Sequence, residues 1–280
     1  MIRARKRFGQ HFLESAWVNK VVSAIAPRPD ETFIEIGPGR GALSFPLAAR
    51  ARHVVAFEID RDLASALRSA APPNLTIVEG NFLEVSAGQI KRHLDAADFK
   101  SGTPLRIAGN LPYNVSSPIL FRLVGIVDAG VPVVDASVML QREVAEGLLA
   151  QPGSREYGVP AILLGRRATV ERLLRLPPGA FRPAPKVHST VVRLRFHSPQ
   201  PPAADERLVA NLVRSLFTRR RKVLGNALLA FSPVAAIGVA EILRCADVDG
   251  RRRPETLDAD ELVRLSNAIW AMGHPQRGEG

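Results

Sequence analysis

The sequence predicts an α/β fold built on a mostly parallel sheet, followed by a small all-α unit. Three observations carry this. In the first half, short apolar runs alternate with helix-like segments, the pattern of parallel strands joined by right-handed crossovers. Those runs are near-continuous rather than alternating, as strands covered on both faces require. After a proline-rich break, HSPQPPAA (His197–Ala204), helical periodicity takes over. The predicted division is therefore residues 1–200, with a basic N-terminal arm, and residues 201–280.

The elements follow in order. TFIEIG (Thr32–Gly37) is a strand that stops at glycine. GALSFPLAARA has helical spacing despite Pro46. HVVAFEID (His53–Asp60) is a second strand and RDLASALRSA a helix. LTIVEGNF (Leu75–Phe82) is a third strand and PLRIAGN (Pro104–Asn110) a fourth. SPILFRLVGIV then reads as a helix and ASVMLQ as a fifth strand. GVPAILLGRRATVERLLRLPPGAF shows no single period. Prolines keep FRPAPKV extended, and STVVRLRF (Ser189–Phe196) has the composition of a late sheet strand. ERLVANLVRSLF, KVLGNALLAF, VAEILRCA and DADELVRLSNAIWAM are helical, the last with Asp258 as its N-cap.

Composition narrows the function. At 46 % hydrophobic and 23 % charged residues the chain has the balance of a soluble globular protein. No apolar run reaches the roughly 18 residues of a membrane helix, and no apolar stretch follows the basic start to make a secretory signal. One cysteine, Cys245, excludes an internal disulfide or a cysteine-based zinc site and suits a reducing compartment, here the cytoplasm. None of the six histidines pairs with a carboxylate at ligand spacing, so no metal is expected. The net charge of +11 calls for a polyanionic partner. It is clustered: Arg3, Arg5, Lys6 and Arg7 at the start, Arg219, Arg220, Arg221 and Lys222 in one run, Arg251–Arg253 in another. Clusters favour nucleic acid over an evenly charged surface. Nothing in the pattern calls for a protein partner or an oligomer, so a monomer is expected.

EIGPGRGA carries Gly37, Gly39 and Gly41 between a strand and a helix. Glycines there let a nucleotide-like ligand approach the backbone. Glu58 ends the second strand, 21 residues after Gly37, where a carboxylate can accept from both ribose hydroxyls. NAD, FAD and S-adenosylmethionine share that ribose, so Glu58 does not choose among them. Asn81 follows the third strand and offers an amide to an adenine edge; a plain turn asparagine fits the position equally. Three successive strand ends thus outline an adenosine pocket.

The fourth strand delivers GNLPY to the same edge. An adenine N6 amine is a poor nucleophile, because its lone pair is delocalised into the ring. Two acceptors on its hydrogens can turn that lone pair towards an electrophile. Asn110 supplies a side-chain oxygen and Leu111 a backbone carbonyl. Pro112 restricts Leu111 to extended backbone. Tyr113, one of two tyrosines, offers a face for stacking, worth about 1–3 kcal/mol per base. Alone, Tyr113 would more simply be a core residue; beside an adenosine pocket it reads as part of amine methylation, with the sulfonium methyl of S-adenosylmethionine as electrophile.

Taken together, RKRFGQHFL, EIGPGRGALS, VVAFEID, GNLPYNVSSPIL, FRPAPKVHSTVVRL, FTRRRKVLGNAL and RPETLDADELVRLSNAI resemble the ribosomal RNA small-subunit adenine dimethyltransferases of the KsgA type, in family order and over nearly the whole chain. The resemblance implies a Rossmann-like class I methyltransferase fold with a mostly parallel seven-stranded sheet and a small C-terminal all-α domain. It implies S-adenosyl-L-methionine as cofactor, with His11 and Leu13 lining its site, Gly37 and Gly39 at the methionine end, Glu58 on the ribose, Asn81 at the adenine and Asn110 between cofactor and target. Many members carry Asn in place of His11 and Asp in place of Asn81. Phe181 would be a second aromatic that sandwiches the target base with Tyr113; a core phenylalanine is its plainer reading. Arg5, Lys6, Arg7 and Arg219–Lys222 would grip small-subunit rRNA within a pre-30S particle. The implied reaction makes N6,N6-dimethyladenosine of two adjacent adenosines near the 3′ end of that RNA. Three other readings stay open: a large-subunit methyltransferase of the erythromycin-resistance type, an RNA-binding assembly factor without catalysis, and an NAD-dependent oxidoreductase suggested by G-x-G-x-x-A.

Overall fold

The structure is a computed structural model that describes residues 10–100, 102–234 and 238–274. It divides into two compact units. The first takes the chain up to Ala145 and then Ala168–Phe196; the second takes Glu146–Arg167 and the chain from His197 onward.

The first unit holds a seven-stranded sheet. Its strands are β2 (Thr32–Ile36), β3 (His53–Glu58), β4 (Leu75–Glu79), β5 (Leu105–Asn110), β6 (Val133–Gln141), β7 (Ala168–Leu176) and β9 (Ser189–Phe196). They lie in the order β4-β3-β2-β5-β6-β9-β7. The first five are parallel; β9 and β7 run antiparallel to their neighbours. A separate two-stranded ribbon pairs β1 (Phe12–Leu13) with β8 (Phe181–Arg182). Every residue of β2 is buried, and β3 and β5 are buried but for one terminal residue each, which is why their sequences read as unbroken apolar runs. Strand order reverses between β2 and β5, so right-handed crossovers put helices on opposite faces and open a crevice at the strands' carboxyl ends.

The helices of this unit begin with α1 (Ser15–Ile25), α2 (Ser44–Ala48), α3 (Arg61–Ala70), α4 (Ala87–Ala96) and α5 (Ser116–Asp128). Pro46 and Pro118 both fall in a first turn, where the missing N–H has no intrahelical acceptor to lose. α2 is shorter than its sequence spacing suggests. Asp60 caps α3 by accepting from the Asp62 and Leu63 N–H groups, and Ser86 closes a capping box with Gln89 on α4. The stretch without a clear period resolves into α7 (Val159–Gly165), in the second unit, and β7. β7 lies at the sheet edge and its register slips between Arg172 and Leu174, so strict alternation could not survive in its sequence. α6 (Arg142–Leu148) follows β6.

At the amino end of the strands a buried ion network ties the sheet to α1. Arg106 Nε donates to both Asp135 carboxylate oxygens (2.9 and 3.1 Å), and Nη1 to Glu31 (2.8 Å). Nη1 also reaches the Ala26 carbonyl and Nη2 the Ile25 carbonyl. Arg193 Nη2 donates to Ala24 and Ile25. Two guanidinium groups thus occupy the orphan carbonyls at the α1 C-terminus, where Ala26 turns left-handed. The Arg106, Glu31 and Asp135 side chains are each under 10 % exposed, so none can fall back on water.

The second unit is helical: α7, α8 (Glu206–Thr218), α9 (Leu224–Leu228), α10 (Val239–Ala246) and α11 (Ala259–Gly273). Leu212, Leu216, Leu228, Ile242, Leu262 and Ile269 meet in its core. Asp205 caps α8. Asp258 caps α11 in a capping box closed by Glu261, and Glu261 also pairs with Arg252. Tyr157, on the 146–167 segment, donates to the Leu257 carbonyl (3.0 Å). α9 covers only part of KVLGNALLAF. No helix among the described residues is long and apolar enough to cross a membrane.

Replacing Arg106 with Met removes donors from two buried carboxylates, Glu31 and Asp135, and from two helix carbonyls, Ile25 and Ala26. Urea denaturation should show Arg106→Met to be about 3–5 kcal/mol less stable than the parent chain; a loss below about 1 kcal/mol would mean that the network does not secure α1.

Candidate active site

The parallel register aligns one row across five strands: Val78, Phe57, Ile36, Gly109 and Val138. The residues just beyond that row form one rim. Gly37 follows Ile36, Glu58 follows Phe57, and Asn110 follows Gly109. Two hollows open there and meet at Gly37, Ile59 and Pro112. His11, Leu13, Gly39, Glu58, Asn110 and Tyr113 line the first; Asn81 and Phe82 line the second.

The glycine turn needs its glycines. Gly37, Gly39 and Gly41 all have positive φ (67°, 60° and 82°), a region costly for other residues. A Cβ on Gly41 would lie 2.4 Å from Phe45, and one on Gly39 3.1 Å from Phe12. The turn is secured by Glu58, whose Oε2 accepts the Gly39 N–H and Oε1 the Asp60 N–H, both at 2.9 Å. Glu58 is almost wholly buried. Burial raises its pKa, while the two backbone N–H groups work in the opposite direction.

Glu35 is the residue that sequence reasoning missed. It is buried in β2, lines the first hollow, and its Oε2 has no hydrogen-bond partner among the described residues. Burial pushes its carboxyl up to about 8, Ser44 opposes this, and the Glu58 charge reinforces it. Ser44 Oγ is close enough to favour the anion, yet neither it nor Glu35 Oε2 meets hydrogen-bond geometry. The visible signal is a single charge inside the apolar run TFIEIG. Ile59 is the second omission. It is a large apolar side chain left 46 % exposed where the two hollows meet.

At the other lip, Asn110 Nδ2 donates to the His11 carbonyl (2.6 Å). A carbonyl can only accept, so this bond assigns the amide's orientation and leaves Oδ1 as its available acceptor. Leu111 is buried, and its N–H is bonded to Met139 (3.3 Å). The Tyr113 hydroxyl meets Ser189 Oγ at 2.6 Å, and burial raises its pKa. The His11 ring stacks on Tyr113 with centroids 5.2 Å apart.

Three expectations need restating. Phe181 is wholly buried in the core, paired with Leu13 across the β1–β8 ribbon. It presents no face to a base, so the sandwich expected of it with Tyr113 does not form in this arrangement. Asn81 lines the second hollow, but its side chain is held locally: Oδ1 accepts the Leu83 N–H (3.2 Å) and Nδ2 donates to Glu84 (2.8 Å). Arg5, Lys6 and Arg7 lie outside the described residues. In the second unit, residues 219–222 form the turn between α8 and α9. Arg219, Arg221 and Lys222 are exposed there, whereas Arg220 is half-buried and bonded to the Arg155 carbonyl. The Leu224 N–H donates to the Arg252 carbonyl (2.7 Å), so the second basic run, with Arg251 and Arg253 exposed, lies beside the first. Among the described residues no group of His, Cys, Asp or Glu could hold a metal.

Comparison with known proteins agrees with this geometry. A family model described as ribosomal RNA adenine dimethylase matches residues 1–264. A ribosomal RNA small subunit methyltransferase A from a Burkholderia species is 42 % identical over 97 % of this chain and 94 % of its own length. The protein of the same name from Yersinia pestis is 38 % identical over 98 % and 96 %. In fold, the chain is similar to a dimethyladenosine transferase from Plasmodium falciparum (TM-score 0.71, 22 % identity, 91 % of this chain and 96 % of that one). It is also similar to the 23S rRNA methyltransferase ErmE (TM-score 0.64, 25 % identity, 92 % and 99 %). A family match spanning both units and relatives of this identity over almost the full length leave one assignment: the chain belongs to the ribosomal RNA adenine dimethylase family.

Proposed function

We propose that the chain transfers methyl groups from S-adenosylmethionine to N6 of two adjacent adenosines in the 3′-terminal hairpin loop of small-subunit (16S) rRNA. The product is N6,N6-dimethyladenosine, made on a pre-30S particle in the cytoplasm by a monomer. The observation that carries this is the bond from Asn110 Nδ2 to the His11 carbonyl. It leaves Oδ1 as the acceptor of a residue that lines the same cleft as the glycine turn and Glu58.

The cleft suits S-adenosylmethionine. A buried carboxyl with an unpartnered oxygen, Glu35, matches an ammonium group. A backbone turn where side chains would collide admits a ligand at Gly37 and Gly39. Exposed Ile59 matches a flat apolar ring. Glu58 keeps lone pairs beyond those bonded to Gly39 and Asp60, enough for ribose hydroxyls. His11 and Leu13 border the same space, and Asn81 Oδ1 keeps a lone pair for an adenine edge. When bound, the cofactor supplies an electrophilic sulfonium methyl.

The protein's part is to present the amine. Asn110 Oδ1 and the Leu111 carbonyl accept the two N6 hydrogens, which frees the nitrogen lone pair from the ring. Pro112 keeps Leu111 extended. Tyr113, held at its hydroxyl by Ser189, gives the base a face. No strong base is needed: alignment at about 3–3.5 Å brings most of the rate, the C–S bonding pair would stay with sulfur as a neutral thioether, and the alkylated nitrogen, cationic and therefore acidic, would shed its proton to water. After one transfer a single N6 hydrogen remains, so one acceptor must then tolerate a methyl. RNA is gripped through Arg219, Arg221 and Lys222, with Arg251 and Arg253 beside them, and through Arg5, Lys6 and Arg7. Unstacked loop bases suit such an enzyme.

The small subunit is favoured over the large because relatives named for it share 38–42 % identity, against 25 % for the 23S enzyme. Intact glycines, Glu58 and NLPY favour catalysis over a purely structural assembly role.

Labelled S-adenosylmethionine with small subunits lacking the modification should label a 3′-terminal rRNA fragment; label confined to large-subunit RNA would reverse the assignment. Asn110→Ala should cut kcat by about 10²–10³-fold and leave RNA binding within about twofold, by filter binding against turnover. Neutralising Arg219, Arg221 and Lys222 should lower the slope of log affinity on log salt by about 0.7 for each phosphate that is no longer neutralised. Glu35 holds its proton below about 8, and a neighbouring ammonium favours its anion. Cofactor binding near pH 7 should therefore release a proton, seen as a buffer-dependent binding enthalpy that Glu35→Gln abolishes.

A further inference from the structure

The Asn81 carboxamide is held one way round by two neighbours. Asn81 follows β4 at a point where the Gly80 N–H donates to the Glu58 carbonyl (2.8 Å), so it lies beside the strand end that carries Glu58. Its Oδ1 accepts the Leu83 N–H (3.2 Å), and its Nδ2 donates to Glu84 Oε1 (2.8 Å). The main chain closes the same turn, with the Glu84 N–H donating to the Asn81 carbonyl (2.9 Å). An amide turned over would set Oδ1 against a carboxylate and its NH₂ against an N–H, two repulsions in place of two bonds. Glu84 is exposed, so its bond adds little to the stability of the fold. What it fixes is the direction in which Asn81 accepts.

That direction has a chemical consequence. Asn81 lines the second hollow together with Phe57, Ile59 and Phe82. These apolar groups suit the faces of a purine but cannot tell one purine from another. Asn81 Oδ1 keeps one lone pair beyond the Leu83 bond. An acceptor at a purine edge attracts the 6-amino group of adenine and repels the 6-oxo group of hypoxanthine. A reversed amide would offer donors instead and exchange the preference.

We propose that Glu84 is a positioning residue for cofactor selectivity: by holding Asn81 Nδ2 it keeps Oδ1 turned to a 6-amino purine. This rests on the cofactor reading above and deepens it. Aspartate at position 81 would need no such partner, because both of its oxygens accept. Beside Glu84, however, it would set two carboxylates at hydrogen-bond distance, where like charges repel.

The test measures calorimetric Kd values of S-adenosylhomocysteine and S-inosylhomocysteine for the full chain and its variants. The parent chain should prefer the adenosyl ligand. Glu84→Leu should weaken that ligand about fivefold and narrow the preference by a similar factor. Glu84→Gln, whose amide oxygen still accepts from Nδ2, should stay within about twofold of the parent. Asn81→Asp alone should weaken the adenosyl ligand about fivefold through like charge, and adding Glu84→Leu to it should restore binding to within about twofold. The proposal is overturned if Glu84→Leu weakens both ligands equally, as simple loosening of the turn would, or if it leaves both Kd values unchanged. It is also overturned if the double variant binds no tighter than Asn81→Asp. A parent chain that binds neither ligand would overturn the cofactor reading, and this one with it; a parent that binds the adenosyl ligand, with a Glu84→Leu variant of unaltered preference, overturns this one alone.

Discussion

The site depends on the register of five parallel strands. Ile36 stands level with Phe57 on one side and Gly109 on the other, so the residues that follow them emerge side by side. A shift of one residue in either pairing would turn every side chain of that strand to the other face and would pull Glu58 or Asn110 away from the glycine turn. Gly109 shows how closely the register is drawn: a Cβ there would lie 2.7 Å from the Ile36 carbonyl oxygen. The glycine before Asn110 is thus a packing requirement of the sheet, and the rim of the cleft inherits its geometry.

The two ends of the sheet treat buried charge in opposite ways. At the amino end, Arg106, Arg193, Glu31 and Asp135 are buried together with their partners supplied. Such a cluster offers little net stability over an apolar core but is costly to break, which suits a fixed attachment for α1. At the carboxyl end, Glu35 is buried without a partner for Oε2. An unpaired buried acid opposes folding, and the natural remedy is a ligand that brings the missing donor. The contrast locates the site on physical grounds alone, before any relative is considered.

Much of this was legible in the sequence. Unbroken apolar runs identified the parallel strands because β2, β3 and β5 are buried on both faces. Asp258 announced its helix because an N-cap is local; Asp205 caps α8 in the same way. What stayed hidden depends on distant partners. β7 is an edge strand with a slipped register, so no two-residue period marks it. The basic runs at 219–222 and 251–253 look independent until the Leu224 N–H is seen bonded to the Arg252 carbonyl. Glu35 was visible as a charge in an apolar strand, yet only the structure shows the oxygen left without a donor.

Phe181 and His11 make the same point from the chemistry. An aromatic flanked by prolines reads alike whether it faces solvent or core. What buries Phe181 is its pairing with Leu13, far away in the chain. That pairing also places His11 against Tyr113, because it holds the residue next to β1 over the NLPY turn. One short antiparallel ribbon therefore removes one ring from the cleft and installs another.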